Sequence, residues 1–365
     1  MIKQRESNLE LLRMVCMYFV VLHHFFVHGI QGIMGFQGFS EQSNDLLITF
    51  INGFIFFCLN CFLLISGYFG ISFKVKGLLN IYIQCFFYGL VFYLLHLYIS
   101  DQPIGWVILR KSIFVISHSP WWYVTSYIYL YLMAPLLNKA IKHLTKKEYI
   151  YVLFIFTILN LYFGYFWGGA FNPNGRGIMN FIYLYLIGRY LKIHVDFSKF
   201  STASIRQKSL LVYLVSSIML GVMALVVHKS GIQLLESRVW ALNNPLLIIY
   251  SVAVLILFST LKFQSNTINW LAKSCLAVYL IHEYGYVNQY IYPVVTRSYY
   301  YMMSSFGNIT GVFTLVFLAF ILFMACLLID KVRIAITTPV EKVMMKIWFL
   351  IKGKFSGLFY RIVEE

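Results

Sequence analysis

Residues 5–28 read RESNLELLRMVCMYFVVLHHFFVH, and this stretch decides how the rest of the chain is understood. It is apolar enough to enter a bilayer, yet it carries Glu10, Arg13, His23, His24 and His28. An α-helix turns about 100° per residue. The steps from Arg13 to His24 add up to about 1100°, which is three turns and about 20°. Those two side chains therefore share a face, about 16 Å apart along the axis. Glu10 and His28 fall within about 60° of the same line, whereas His23 points about 80° away from Arg13. The spacing predicts one polar stripe, Glu10–Arg13–His24–His28, on a greasy helix. Ionisable groups at membrane depth are costly and usually face a bundle interior or a wet cavity. Near a helix end they can instead snorkel to the headgroups. The alignment of the set favours the cavity.

Composition agrees with a membrane chain. Of 365 residues, 60% are hydrophobic, 19% aromatic and only 12% charged, and mean hydropathy is +0.76. Soluble domains carry about twice that charged fraction. The six cysteines, Cys16, Cys58, Cys61, Cys85, Cys275 and Cys326, all fall inside apolar segments. Cys58 and Cys61 form a lone C-x-x-C on an apolar stretch, which reads as small buried hydrophobes rather than a zinc or redox site. The first apolar run is interrupted by Arg13 and lacks a nearby small-x-small cleavage site, so it reads as an uncleaved span rather than a signal peptide.

Taking about 20 apolar residues per crossing, ten spans are expected, near 10–29, 46–69, 78–99, 121–138, 149–168, 178–194, 209–228, 244–262, 269–291 and 310–330. Sorted by the intervening loops, 23 of the 29 Lys and Arg residues fall on the side of the N-terminus. The remainder, Arg110, Lys111, Arg176, Lys229, Arg238 and Arg297, fall on the other. That alternation predicts both termini inside. The formal charge of +16 is then topological, set against anionic inner-leaflet lipid, and nucleic acid loses its case as a partner. The expected architecture is an all-α polytopic membrane protein with a domain over 1–333. A basic amphipathic tail, 334–365, would lie on the cytoplasmic surface. The expected outer loops, about 30–45, 100–120, 229–243 and 292–309, are short. An outer binding site must be built largely from the bundle.

No phosphate loop of the form G-x-x-x-x-G-K-[ST], no H-E-x-x-H and no G-x-S-x-G occurs. What remains are polar residues within or beside spans. Ser66-Gly67-Tyr68, ahead of Lys74 and Lys76, either lets backbone approach a ligand or marks a close helix contact. Trp121-Trp122-Tyr123, after His118-Ser119-Pro120, is either an interfacial belt or a stacking platform for a sugar ring. His282 and Glu283 lie well inside the ninth span, where a carboxylate needs a partner. A histidine of the first span is a candidate.

At this point a resemblance enters. R-x-x-N-L-E-L-L-R followed by His24 is similar to the opening motif of acyltransferase family 3, a family of integral-membrane acyltransferases. FFCLNCFLLISGYFG, PWWYVTSYIYLYLMAPLL and NWLAKSCLAVYLIH resemble the family's later stretches in the same order. The resemblance implies a cytoplasmic acyl-coenzyme A donor, commonly acetyl-coenzyme A, and a glycan acceptor in an envelope or secreted polymer. It also implies a bacterial cytoplasmic membrane and a catalytic centre at Arg13 and His24. Two departures stand out: Lys74 and Lys76 occupy positions where many members carry arginines, and the esterase-like domain appended in some members is not expected here. On this reading Arg13, Ser66, Tyr68, Lys74 and Lys76 are the donor-binding candidates. Trp121, Trp122, Tyr123 and His28 would face the acceptor, and Glu10, His282 and Glu283 would support His24. No metal and no permanently bound cofactor is expected.

The residues alone point the same way. Arg13 near the inner mouth suits the phosphates of coenzyme A. His24, deeper, suits a general base acting on a sugar hydroxyl, or a nucleophile in an acyl-histidine relay. Glu283 or Glu10 would orient the imidazole. Two rival functions use similar residues. A transporter of polysaccharide or lipid-linked sugar would use the same polar groups as a path, but no inverted repeat is visible. A glycan polymerase would be expected to carry a large outer loop rich in Arg and His, and no loop here fits.

Overall fold

The structure, a computed structural model, describes residues 5–30, 46–101, 103, 105–114, 121–167, 172–197 and 201–354. His118, Ser119, Pro120, most of the first outer loop and the end of the tail lie outside the described residues. Among the described residues every regular element is a helix. In chain order these are α1 (Ser7–His24), continued by a π-helical turn (Phe25–Ile30), α2 (Leu46–Ile55), α3 (Cys58–Phe69), α4 (Val75–Ser100), α5 (Trp106–Ile113) and α6 (Trp122–His143). There follow α7 (Lys146–Thr157), continued by a second π segment (Ile158–Phe166), α8 (Ile178–His194), α9 (Thr202–Ser230), α10 (Gln233–Val239) and α11 (Pro245–Ser259). The chain closes with α12 (Asn266–Ala272), α13 (Cys275–His282), α14 (Gly285–Phe306) and α15 (Asn308–Lys354).

Six of these stretches are long and apolar enough to cross a membrane: Ser7–Ile30, Leu46–Phe69, Val75–Ser100, Lys146–Phe166, Thr202–Ser230 and Asn308–Leu350. The chain is a membrane-type helical bundle. The remaining passes of a ten-span chain would fall to α6, α8, α11 and the broken α12–α13–α14 segment.

Side-chain contacts sort the helix ends. Ser7 Oγ donates to Gln264 Oε1 at 2.9 Å, and Asn8 Nδ2 to the Phe258 carbonyl at 3.1 Å. Arg206 Nε reaches Thr260 Oγ1 at 3.0 Å, and Lys331 Nζ reaches Ser274 Oγ at 2.8 Å. The starts of α1, α9 and α12, the end of α11 and the middle of α15 therefore share one end of the bundle. At the opposite end, the segment 172–177 is tied down by asparagines. Asn172 Nδ2 donates to Asn160 Oδ1 at 2.7 Å, Asn243 Nδ2 to the Asn160 carbonyl at 3.0 Å, and Asn180 Nδ2 to the Gly175 carbonyl at 2.9 Å. Buried polar groups at this depth need such partners. Gly175, at φ 70°, is the residue this tight turn requires.

The closest helix crossing is between α3 and α8. A Cβ on Gly67 would overlap the Tyr185 carbonyl, and one on Gly188 would overlap that of Leu64. The backbones meet there with no side chain between them, as small-residue helix contacts in membranes do. This is the close-contact reading of the Ser66-Gly67-Tyr68 stretch.

Besides the π segment Ile158–Phe166 in the fifth span, three helix irregularities depart from the uniform spans read from sequence. The π turn begins immediately after His24. The second span breaks at Phe56–Phe57, between α2 and α3. The ninth, expected to run over 269–291, turns at Lys273–Ser274 and breaks again at Glu283–Tyr284, where Tyr284 takes an extended conformation (φ −74°, ψ 127°). Beyond it α14 continues to Phe306, so the region expected as an outer loop near 292–309 is largely helical. Irregular backbone at membrane depth is tolerated where it lines a cavity or is buried in protein. The last helix, α15, runs 47 residues through position 333 and Pro339 without interruption, about 70 Å at 1.5 Å per residue.

Candidate functional site

The π turn after His24 and the breaks at 56–57 and 283–284 converge on a cavity of about 500 Å³. His23, His24 and His28 line it from the first helix, and Asn52, Phe56 and Cys58 from the second span. Glu283 enters from the end of α13, and Trp122, Arg176, Glu236 and Trp240 line the other end, its mouth.

At its floor His24 Nδ1 faces two acceptors. Glu283 Oε2 lies 3.0 Å away and His282 Nε2 lies 2.9 Å away. His282 Nδ1 is itself directed at the Val278 carbonyl, one turn back in α13. A proton on His282 Nδ1 satisfies that carbonyl and leaves Nε2 as a lone pair. Both neighbours thus ask His24 Nδ1 to carry the proton. The imidazole is held as the Nδ1–H tautomer, with its Nε2 lone pair left over. Glu283 is also fixed: Tyr292 donates to Oε2 at 3.0 Å, and His28 Nε2 stands 3.5 Å from Oε1. A base oriented by a carboxylate that is itself hydrogen-bonded is the arrangement of general-base sites on unrelated folds.

His23 departs from the expectation. Its ring does not turn away from the cavity but stands on its wall, with Nδ1 2.8 Å from Asn52 Oδ1 and its ring centre 5.6 Å from that of His24. Neighbouring histidines on one helix both reach the cavity because it wraps around the helix on the side opened by the α2–α3 break.

The other end of the stripe forms a separate cluster. Glu10, 4% exposed, lies between Arg13 Nη1 at 2.7 Å and Arg5 Nη1 at 3.2 Å. Glu10 therefore pairs with the arginines, and Glu283 is the carboxylate at His24. The Arg13 guanidinium lies 5.7 Å from the Phe69 ring centre, and Lys192 Nζ 4.5 Å from that of Tyr68. Lys192 comes from the end of α8, beside Arg189, whose guanidinium packs against Gly70. Ser66 Oγ is turned back to the Phe62 carbonyl at 2.8 Å. Lys74 and Lys76 are exposed at the start of α4.

Of the three aromatic residues expected at the acceptor, Trp122 lines the cavity. Trp121 is 2% exposed and stacks on Tyr284, ring centres 5.2 Å apart, backing the break that carries Glu283. Tyr123 donates to the Leu59 carbonyl at 3.1 Å.

Three cavity residues, Arg176, Glu236 and Trp240, were not singled out from sequence. Arg176 lies in a tight turn, Glu236 in the two-turn helix α10 and Trp240 at the end of that helix, each too short to show a period in the sequence. The turn-forming run Asn172-Pro173-Asn174-Gly175-Arg176-Gly177 marked a tight loop, yet nothing in it indicated what the loop faced.

Metal coordination has a candidate in the same group. His24, His28 and Glu283 each offer one ligand atom, all within 4.8 Å of one another. Two imidazoles and a carboxylate suit zinc. The His24 nitrogen nearest Glu283 is, however, the one already engaged in the hydrogen bonds above.

An all-helical membrane bundle with a buried histidine–carboxylate pair defines a membrane enzyme class rather than a particular activity. The family of the acyltransferase domain, acyltransferase family 3, matches residues 6–329. The chain belongs to that family, and acyltransferase activity follows from it at the level of class. No curated protein and no solved structure matches the chain.

Proposed function

We propose that this protein transfers an acyl group, acetyl in the first instance, from cytoplasmic acyl-coenzyme A to a hydroxyl of a cell-surface or lipid-linked glycan. The observation that carries the reading is His24 in the wall of a cavity, its Nδ1 within 3.0 Å of both Glu283 Oε2 and His282 Nε2. His24 Nε2 takes the proton of the acceptor hydroxyl as its oxygen attacks the thioester carbonyl. The carbon–sulfur bond breaks, and His24 returns the proton to the departing thiolate. The products are an ester and free coenzyme A. Glu283 and His282 hold the imidazole and stabilise it while protonated. In the relay variant Nε2 attacks the thioester first, and the hydroxyl then takes the acyl group from the imidazole.

The topology is part of the proposal: ten passes, both termini in the cytoplasm of a bacterial cell, and the protein in its inner membrane. The clustering of Arg5, Arg13 and Lys192 at one end and the cavity mouth at Trp122 and Arg176 at the other supports it. The donor's phosphates then meet Arg13, with Tyr68, Lys74 and Lys76 beside it. The pantetheine arm covers the distance of about 16 Å to His24. The tail beyond 333 rests on anionic lipid through its lysines.

The test is turnover of acetyl-coenzyme A by purified protein in detergent, with longer acyl donors in parallel. Release of free coenzyme A supports the reading, and absence of turnover with every acyl donor sinks it. Arg13→Ala is expected to raise KM for the donor by about 10- to 100-fold, the loss of one charge-assisted phosphate contact. The change in kcat should be small. Glu10 keeps Arg5 as partner, so the helix end stays paired. A fall confined to kcat would remove Arg13 from donor binding.

The metal group supplies a second check. Since His24 acts as a free base in this mechanism, a chelator should leave turnover unchanged. Zinc at micromolar concentration should inhibit by occupying His24, His28 and Glu283. Activity lost to chelator and restored by zinc would replace the general-base mechanism with a metal-dependent one.

A further inference from the structure

The mouth of the cavity carries charge that the transfer chemistry does not use. Arg176 lies over the Trp122 ring, Cζ 5.3 Å from its centre, and both residues line the same cavity as His24. Arg238, between the cavity residues Ser237 and Trp240, stacks on Tyr165 with Cζ 6.0 Å from the ring centre. Neither guanidinium has an ion-pair partner among the described residues. The carboxylate at the mouth, Glu236, has His228 Nδ1 3.5 Å away. The carboxylate at the floor, Glu283, is taken by His24, His28 and Tyr292.

A guanidinium held over an indole by its Cζ can still offer N–H donors, and these match carboxylate or phosphate oxygens in a fork. The turn that carries Arg176 is pinned: Leu242 N–H donates to the Asn174 carbonyl at 2.8 Å and Gly177 N–H to Asn172 Oδ1 at 3.2 Å. A neutral sugar needs the Trp122 face and hydroxyl partners, but no unpaired cation. The cavity has the size of a small-molecule site, large enough for a sugar residue, and both Arg176 and His24 line it.

We propose that the acceptor is an anionic glycan. Its carboxylate or phosphate is gripped by Arg176 at the cavity mouth, and the hydroxyl to be acylated lies against His24. The inference rests on the acyl-transfer reading above.

The experiment uses the full-length protein with acetyl-coenzyme A and three acceptors: a neutral oligosaccharide, a uronate-containing oligosaccharide of the same length, and a prenyl-pyrophosphate-linked disaccharide. The readout is the ratio of kcat/KM for each anionic acceptor over the neutral one. A ratio of at least about 10 is expected for one of them, the effect of one charge-assisted contact. In Arg176→Gln the ratio should fall to near one, with Arg176→Lys in between. Preference for the uronate places the charge on the sugar, and preference for the pyrophosphate places it on the carrier lipid. Each of those outcomes supports the proposal. A ratio near one in wild type, or one that Arg176→Gln leaves unchanged, overturns it. Because the readout is a ratio within one preparation, partial misfolding of a variant does not mimic the effect. Donor turnover without acceptor preference overturns this inference alone, whereas no donor turnover overturns acyl transfer and this inference with it.

Discussion

Acyl-coenzyme A turnover falls by about 10²- to 10⁴-fold in His24→Ala, the range that a positioned general base supplies. Glu283→Gln should lose about 10²-fold or more. It removes the charge that stabilises the protonated imidazole, and the new amide can present N–H where His24 Nδ1–H needs an acceptor. His282→Ala should lose less, about 10-fold, because Glu283 still holds the tautomer. The order of the three is the informative result, since a purely structural role for the cluster would not grade them by contact with Nδ1. His23→Ala is a poor control, because His23 lines the cavity and bonds Asn52. His143, exposed at the end of α6, is a better one. Steady-state release of free coenzyme A measures all four variants. His24→Ala with more than a tenth of wild-type turnover would remove it from the chemistry.

The second large effect is on folding. Gly188→Ala places a methyl group on the Leu64 carbonyl, and Gly67→Ala places one on the Tyr185 carbonyl. Overpacking in a well-packed site costs about 1–3 kcal/mol where side chains can shift. Here the obstacle is backbone on the facing helix, so α3 and α8 must part along their shared length. Each variant should show a Tm several degrees below wild type in detergent, and Gly188→Leu should not yield folded protein. Once one substitution has widened the crossing, the second costs less, so the double variant should fall short of the sum. Single variants with wild-type Tm would mean that the crossing is looser than described. Because α3 also carries Ser66 and Tyr68, proposed donor-binding residues, partial separation should weaken donor binding before it abolishes the fold.

Much of this site could be read from the chain because its parts lie on helices with a fixed period. The 100° step placed His24 and His28 on one line, and both meet Glu283. Helical spacing also joined Glu10 to Arg13. The need of a buried carboxylate for a partner linked the ninth span to the first. The failures share a physical cause. Period and hydropathy assume an unbroken helix, and neither registers a π turn after His24 or the extended residue Tyr284. Those irregularities are set by tertiary contacts, such as the stacking of Trp121 on Tyr284. They bring His23 onto the wall and turn a supposed loop into α14. Arg176, Glu236 and Trp240 were invisible for a different reason. They reach the cavity from a tight turn and the short helix α10, and the flanking Asn172 and Asn243 are anchored on Asn160, a partner remote in sequence.

The position of His24 between two polar clusters has an electrical consequence. In the proposed transfer a neutral hydroxyl becomes a neutral ester at the Trp122 end, and the thioester becomes a thiol of unchanged charge at the Arg13 end. The acyl group passing one way and the proton passing the other cancel, so no net charge crosses the bundle. A membrane potential, worth about 2.3 kcal/mol per 100 mV to an uncompensated charge, then gives the reaction neither push nor brake, and its driving force is the thioester bond alone.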